Sequence, residues 1–289
     1  MGNHLNGWTA SVMARKSVFV VAALTVLGSF AAVTPVASAG GDTTGPTLAL
    51  ARYANFVARS TIGPMAPEGG SPTETRDIQM MVSWSASDPS NICGSRTRSE
   101  YNGGTGAWSS WGILTGVVYP TTDYDDQVGG GSTKFLGIDV QVRDCLENRT
   151  TKFSRFQPEV FQENGESYGY GTLASAYSGT WNTSTCQCWS GGTTRKTTAR
   201  GATAKFTFDF SGGKHPVALV MERAPDRGKA QILVDGVFQE TIDTYAASPK
   251  HRSVVWVGKL PSGVHSVTVV NLATTGRPRI DVDAVLVSG

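Results

Sequence analysis

What this chain lacks narrows it first. Four cysteines in 289 residues are too few for a disulfide-dense scaffold. Beyond residue 40 no stretch is long and apolar enough to span a bilayer. Helical periodicity is nearly absent. No amphipathic segment of about ten residues separates the strand-like runs, which excludes parallel α/β folds, whose successive strands need a helical crossover. An excess of either charge is missing too, with 25 Lys and Arg against 23 Asp and Glu. Two of those basic residues, Arg15 and Lys16, sit in an N-terminal leader. The remainder is formally neutral, which argues against nucleic acid or an anionic membrane as the main partner.

The leader reads "MARKSVFVVAALTVLGSFAAVTPVASAGG" from Met13: a basic start, an apolar run, then Ala37-Ser38-Ala39 ahead of Gly40. This predicts a secretory signal peptide over residues 1–39, hence a secreted, extracellular chain with no membrane span after cleavage. The residues before Met13 are an extended n-region, or translation starts at Met13. A retained anchor helix is the alternative, but Thr34, Pro35 and the small-residue end favour removal.

Beyond the leader the chain is strand-like. "DIQMMVSWSASD", "FLGIDVQV" and "AKFTFDF" alternate apolar and polar residues, and "HPVALVME", "KAQILVDG", "RSVVWVGKL", "HSVTVVNL" and "RIDVDAVLV" are bounded by Gly, Pro or charged turns. The 34 glycines fit a protein of strands and turns. The expected fold class is all-β: two β-sandwich domains after the signal peptide. Patterning lapses in "QPEVFQENGESYGYGTL". The domains are therefore placed at 40–160, an immunoglobulin- or fibronectin-type-III-like sandwich with a tryptophan strand at Trp84, and at 171–289, a jelly roll, with a linker over 161–170.

"DTTGPT", "VSWSASDPSNICG", "IDVQVRDCLENRT", "YSGTWNTSTCQCWSGGTTRKTTARGATAKFTF", "RGKAQILVDGVFQETIDTY" and "TTGRPRIDVDAVLV" resemble a tandem of secreted actinobacterial proteins, in which an immunoglobulin- or fibronectin-type-III-like module precedes a carbohydrate-binding-like jelly roll. The likeness covers nearly all of the chain after the leader. It implies a binding accessory of the kind appended to secreted hydrolases, and it transfers no site residues. No catalytic domain precedes the pair here, so the expected protein acts alone or beside secreted partners.

Outside the cell thiols oxidise, and four cysteines allow three pairings. Placement within one module selects Cys93 with Cys145, a closure contributing about 4 kcal/mol by chain entropy. Cys186 and Cys188 remain. In extended chain their Cα atoms lie about 7 Å apart, so a bridge needs a bend at Gln187, and so small a ring contributes only about 1.6 kcal/mol. A local disulfide is expected. Zinc, redox chemistry and free thiols are the alternatives, and His215, His251 and His265 occur singly, without metal-site spacing.

Enzyme signatures are weak. "GESYG" at 165–169 fits a nucleophile elbow in letters, but Ser167 lacks the strand before and helix after it. Paired carboxylates of a glycosidase meet only in space, and no pair stands out. Asp123, Asp125 and Asp126 hint at calcium, but Val128 and Lys134 stand where an EF-hand loop requires Gly and Glu, so a solvated turn is expected. No catalytic residue, metal or cofactor is assigned. Sugar faces pack on aromatic rings and their hydroxyls need planar polar groups. Candidate ligand contacts are Trp189 and Trp181 around the cysteine loop, Arg223, Asp226 and Arg227 in "RAPDRG", and Tyr245 in "DTYAASPKHR". For Trp181, in a first strand, the core is the preferred place, whereas Trp189 is expected on the surface. Arg227 can instead pair with Asp226. Asp281 and Asp283 alternate with apolar residues and are expected to face outward, though Asp283 can alternatively be a buried fold determinant. The function expected is non-catalytic binding of extracellular or cell-wall glycan through the jelly roll. A protein-adhesion module and a hydrolase are the alternatives.

Overall fold

The computed structural model describes residues 42–51, 54–62, 77–101, 104–122, 136–156, 158–164, 167–168 and 171–288. The leader and the Asp123, Asp125 and Asp126 turn lie outside them. Period-two burial organises the N-terminal strands: β1 (Thr47–Leu50), β2 (Asn55–Phe56), β3 (Asp77–Ser87), β4 (Ile92–Tyr101), β5 (Gly104–Thr105), β6 (Gly116–Thr122), β7 (Leu136–Asp144) and β8 (Arg149–Phe156). β3 pairs with β1 and β2 on one edge and β6 on the other, and a second antiparallel sheet runs β5-β4-β7-β8. Ile78, Met80, Val82 and Trp84 of β3 meet Ile138, Val140 and Val142 of β7 in one core. Cys93 bonds Cys145 with Cα atoms 4.8 Å apart, as expected. The bridge ties a bulge in β4 to the turn after β7, within one sheet rather than between two.

The rest comprises β9 (Pro158–Gln162), β10 (Ser167–Tyr168), β11 (Gly171–Ser178), β12 (Asn182–Thr185), a 3-10 turn at Ser190–Gly192, β13 (Thr193–Thr197), β14 (Thr203–Arg223), β15 (Lys229–Val234), β16 (Val237–Asp243), β17 (Lys250–Asn271) and β18 (Ile280–Ser288). β14 and β17 are long enough to serve two layers. Both break their burial pattern at 211–214 and 261–264, where the chain is exposed and Gly212, Gly213 and Gly263 take positive φ. The first layer holds β11, the first half of β14, the second half of β17, β15 and β16. The second holds β12, β13, β18, the second half of β14 and the first half of β17, with β9 also on β18. Phe206, Phe208, Leu219, Met221, Ile232, Trp256, Val267 and Val269 fill the space between. The chain adopts the expected all-β, jelly-roll-like sandwich.

The second layer is buried on both faces. Val217, Leu219 and Met221 enter the jelly-roll core, whereas Ala218 and Val220, pointing the other way, join the core built on β3 and β7. Ala284 and Leu286 of β18 do the same. Backbone bonds reinforce the joint: Arg59 N donates to Val254 O at 2.8 Å, Val254 N to Ser60 O at 2.8 Å and Ile62 N to Arg252 O at 3.0 Å. Val160 lies within β9, paired with Leu286. Residues Asp42–Gly289 form one unit.

Asp281 and Asp283 do not face outward as alternation predicts. Both are fully buried. Val220 pairs with Ala284 and Met221 with Val282, so Asp283 is the extra residue of a bulge. With a hydrophobic layer on each side of β18, there is no solvent face for alternation to report.

Candidate functional site

One end of the jelly roll gathers polar and aromatic groups from three connections. β14 ends at Arg223, and the following turn closes with Arg227 N donating to Ala224 O at 3.1 Å. Tyr245, just past β16, bridges to Ala224. Arg223 Nη2 donates to the Tyr245 carbonyl at 3.1 Å. Across the ring the Arg277 guanidinium lies 4.9 Å from its centroid. Arg277 also grips Asp243 with both Nη atoms, at 3.0 and 3.2 Å. Burial works against the Asp243 charge, but the Arg277 hydrogen bonds and the Tyr245 amide hold its carboxyl below the usual range. Tyr245 keeps 47 % of its surface exposed. The result is an oriented ring beside a bidentate Arg–carboxylate pair, with Asp226 exposed nearby.

Arg227, expected as a ligand contact, is structural. Its side chain is 7 % exposed and clamped by Asp226 and buried Asp281, which also accepts Arg279 Nε at 3.0 Å. Burying Asp281 requires that company, since an unpaired interior carboxylate is strongly disfavoured. Arg277 and Asp243 went unread in the sequence. Their signal was faint: an arginine in a Gly-Arg-Pro turn and an aspartate closing a strand.

Trp189 is not at the surface as expected. It is 8 % exposed, and its Nε1 donates to Glu222 Oε2 at 3.0 Å. The disulfide of Cys186 and Cys188 draws the Cα atoms to 5.0 Å, and the chain folds back around it, with Trp189 N donating to Cys186 O and Cys186 N to Gly192 O. Zinc ligation by thiolates and free thiols fall with it, because no cysteine is free. The indole lies beneath β14 on a buried acceptor. Trp181 is half-buried beside the core, edge-on to Tyr177 at 5.1 Å, with Nε1 donating to Ser178 O. Neither tryptophan joins Tyr245.

Beneath the cysteine loop lie three buried carboxylates, Glu163, Glu222 and Asp283. Glu222 Oε2 also meets His251 Nδ1 at 2.8 Å, and Thr193 Oγ1 donates to Glu163 Oε1 at 2.8 Å. Asp283 Oδ1 accepts Ser190 N at 2.8 Å, while Oδ2 has no hydrogen-bond partner. Burial pushes the Asp283 carboxyl well up, with Glu163 and Glu222 adding to the rise and the Ser190 amide and Arg252 opposing it. Raised in this way, the Asp283 carboxyl is favoured in its protonated form.

Elsewhere, the backbone at Ser167 belongs to β10, which pairs antiparallel with β11. A cleft of about 400 Å³ is lined by Asn55, Phe56, Val57, Ala58, Met81, Val257, Gly258 and Lys259, without a carboxylate among them. Asp42, Asp88 and Asp144 approach one another within 4.8 Å. They act on backbone: Asp144 accepts Leu146 N and Asn148 N, Asp88 accepts Ser90 N and Asp42 accepts Thr44 N. On the outer face of the β5-β4-β7-β8 sheet, two indoles and four guanidiniums interleave. Arg98 and Arg96 lie 4.5 and 4.7 Å from the Trp108 centroid. Arg96 and Arg143 lie 4.5 Å from Trp111, and Arg149 5.5 Å. The sequence signal was an Arg-x-Arg strand ahead of Trp-x-x-Trp.

No protein-family model matches the sequence, and neither does any curated protein. Among solved structures the chain is similar to the CBM36-1 domain of a multidomain xylanase from the hindgut metagenome of Trinervitermes trinervoides, at 14 % identity and a TM-score of 0.32 over 46 % of this chain and 98 % of that one. It is similar to CBM35 from Cellvibrio japonicus Abf62, at 16 % identity and 0.34 over 46 % and 94 %. It is also similar to an exo-β-1,3-galactanase from Phanerochaete chrysosporium, at 15 % identity and 0.31 over 79 % of this chain and 56 % of that one.

Proposed function

We propose that this is a secreted, non-catalytic glycan-binding protein whose jelly-roll end, at Tyr245, Arg223, Arg277, Asp243 and Asp226, contacts an extracellular or cell-wall polysaccharide. The supporting observation is the exposed Tyr245 ring, fixed by Arg277 on its face and Arg223 on its carbonyl. A sugar's C–H face packs on such a ring, and the neighbouring planar groups meet its hydroxyls at little ordering cost. In a polysaccharide pull-down with the whole chain, Tyr245→Ala is expected to weaken retention about tenfold with an unchanged circular dichroism spectrum. Retention indifferent to Tyr245→Ala and Arg277→Ala would overturn the site. A protein-adhesion reading draws on a different observation. The edge strand β16 leaves Val237 and Phe238 64 % and 55 % exposed. Capture of a protein partner sensitive to Phe238→Ser, with no glycan retained, would favour it.

A further inference from the structure

We infer that the arginine–tryptophan face of the β5-β4-β7-β8 sheet is a second binding surface, for an anionic polysaccharide. It stands apart from the jelly-roll end and does not depend on it. Register places the groups. On adjacent strands Arg96 pairs with Gln141 and that with Thr151, Arg98 with Asp139, and Arg143 with Arg149. The side chains at 138, 140 and 142 fill the core, so those at 139, 141 and 143 look outward. The segment after β5 lies along β4, Ser109 N donating to Thr97 O at 2.8 Å and Gly112 N to Ser95 O at 2.9 Å, and this sets Trp108 and Trp111 between the guanidiniums. Gly94 leaves the room: a Cβ there would meet Trp111 at 3.1 Å and Arg143 Nε at 3.2 Å.

Charge does not balance on this face. By register Arg96, Arg98, Arg143, Arg149 and Arg155 share it with Asp139 and Glu100, with Glu147 at its end: Arg98 Nε bonds Asp139 at 2.7 Å, and Glu147 takes Arg143 at 2.6 Å and Arg149 at 3.4 Å. Arg96, in the middle, bonds Gln141 Oε1 at 2.9 Å and no carboxylate among the described residues. Burial together with Arg149, Arg143 and Arg98 disfavours its charge. In a chain neutral outside its leader, a local excess this dense calls for an external anion. Stacking consumes the flat faces of the guanidiniums and fixes their planes, leaving in-plane N–H edges for carboxylate or phosphate, while the indole rims offer apolar surface to sugar rings. The indole faces are covered by guanidiniums and are not open to stack bases, so a sugar polymer with repeating acidic groups is the favoured occupant.

The test uses the whole chain against immobilised polygalacturonate, a phosphate-bearing mannan, neutral amylose and duplex DNA at low and moderate salt. Retention on the first or the second polymer is expected, and which one identifies carboxylate or phosphate as the group recognised. It should fall with salt and drop about tenfold in Arg149→Gln, with partial recovery in Arg149→Lys, and be unchanged in Tyr245→Ala. Arg149 is exposed, so its loss leaves the fold intact. Arg96→Gln, checked by thermal unfolding, should act alike. Failure to retain either acidic polymer, retention indifferent to Arg149→Gln, or equal retention of DNA would overturn the proposal, while loss of neutral-glycan binding in Tyr245→Ala bears only on the jelly-roll site.

Discussion

At the scale of residues, the interior polar groups decide most. Trp189→Phe keeps an aromatic side chain, though a smaller one, and removes the donor to Glu222, leaving a buried carboxylate with His251 as its remaining partner. An unmade hydrogen bond of this kind costs about 1–3 kcal/mol, measurable by urea unfolding. Asp283 carries a pH dependence. Its folded pKa is raised, so the folded state binds the proton more tightly than the unfolded chain, and stability present below the ordinary aspartate range is lost as pH rises through the folded value. The melting temperature is expected to fall from pH 4.5 to 8, and less so in Asp283→Asn; an equal fall in both would mean that Asp283 does not carry the dependence. The placement of Tyr245, Arg223 and Asp226 at strand ends and connections was legible in the sequence because turn residues with polar heads mark loop ends. Trp189 was not, since its burial follows from an acceptor 33 positions away that no local pattern announces.

Elements were more legible than residues, with two physical exceptions. Period two identified β3, β7 and the Phe206, Phe208 and Phe210 half of β14, because each has one face in a core and one outside it. The run containing Asp281 and Asp283 failed because β18 has two buried faces and a bulge that changes its parity. β14 and β17 look like two strands each in sequence. Glycines at 212, 213 and 263 make bends rather than chain reversals, so each strand continues into the other layer. The two disulfides differ as elements. Cys93–Cys145 closes a separation of 52 residues, and replacing both cysteines with serine is expected to lower stability by about 4 kcal/mol. The Cys186–Cys188 ring spans a separation of 2, and the corresponding double serine variant should lose no more than about 1.6 kcal/mol. Its effect should appear instead as a shift of Trp189 fluorescence, as the pinch that seats the indole relaxes.

On the scale of the whole molecule, the shared layer makes two sandwiches into one cooperative structure. Leu286 and Ala284 on β18 and Val220 and Ala218 on β14 are core residues of the N-terminal sheets, although they lie far along the chain from them. Leu286→Ala should therefore cost about 2–5 kcal/mol, and the loss should register equally with probes in either sandwich. A single calorimetric transition for the parent chain, displaced as a unit in the variant, is the expected outcome. Two transitions, only one of which moves, would mean the layers fold separately. The same geometry predicts what excision does. A fragment of residues 171–289 retains the jelly-roll core, but it loses β9 and the 59–62 segment from the edges of β18 and β17 and bares those four apolar side chains. Bound hydrophobic dye and concentration-dependent association are expected of it and not of the intact chain, because an exposed apolar face flanked by unpaired strand edges recruits another copy.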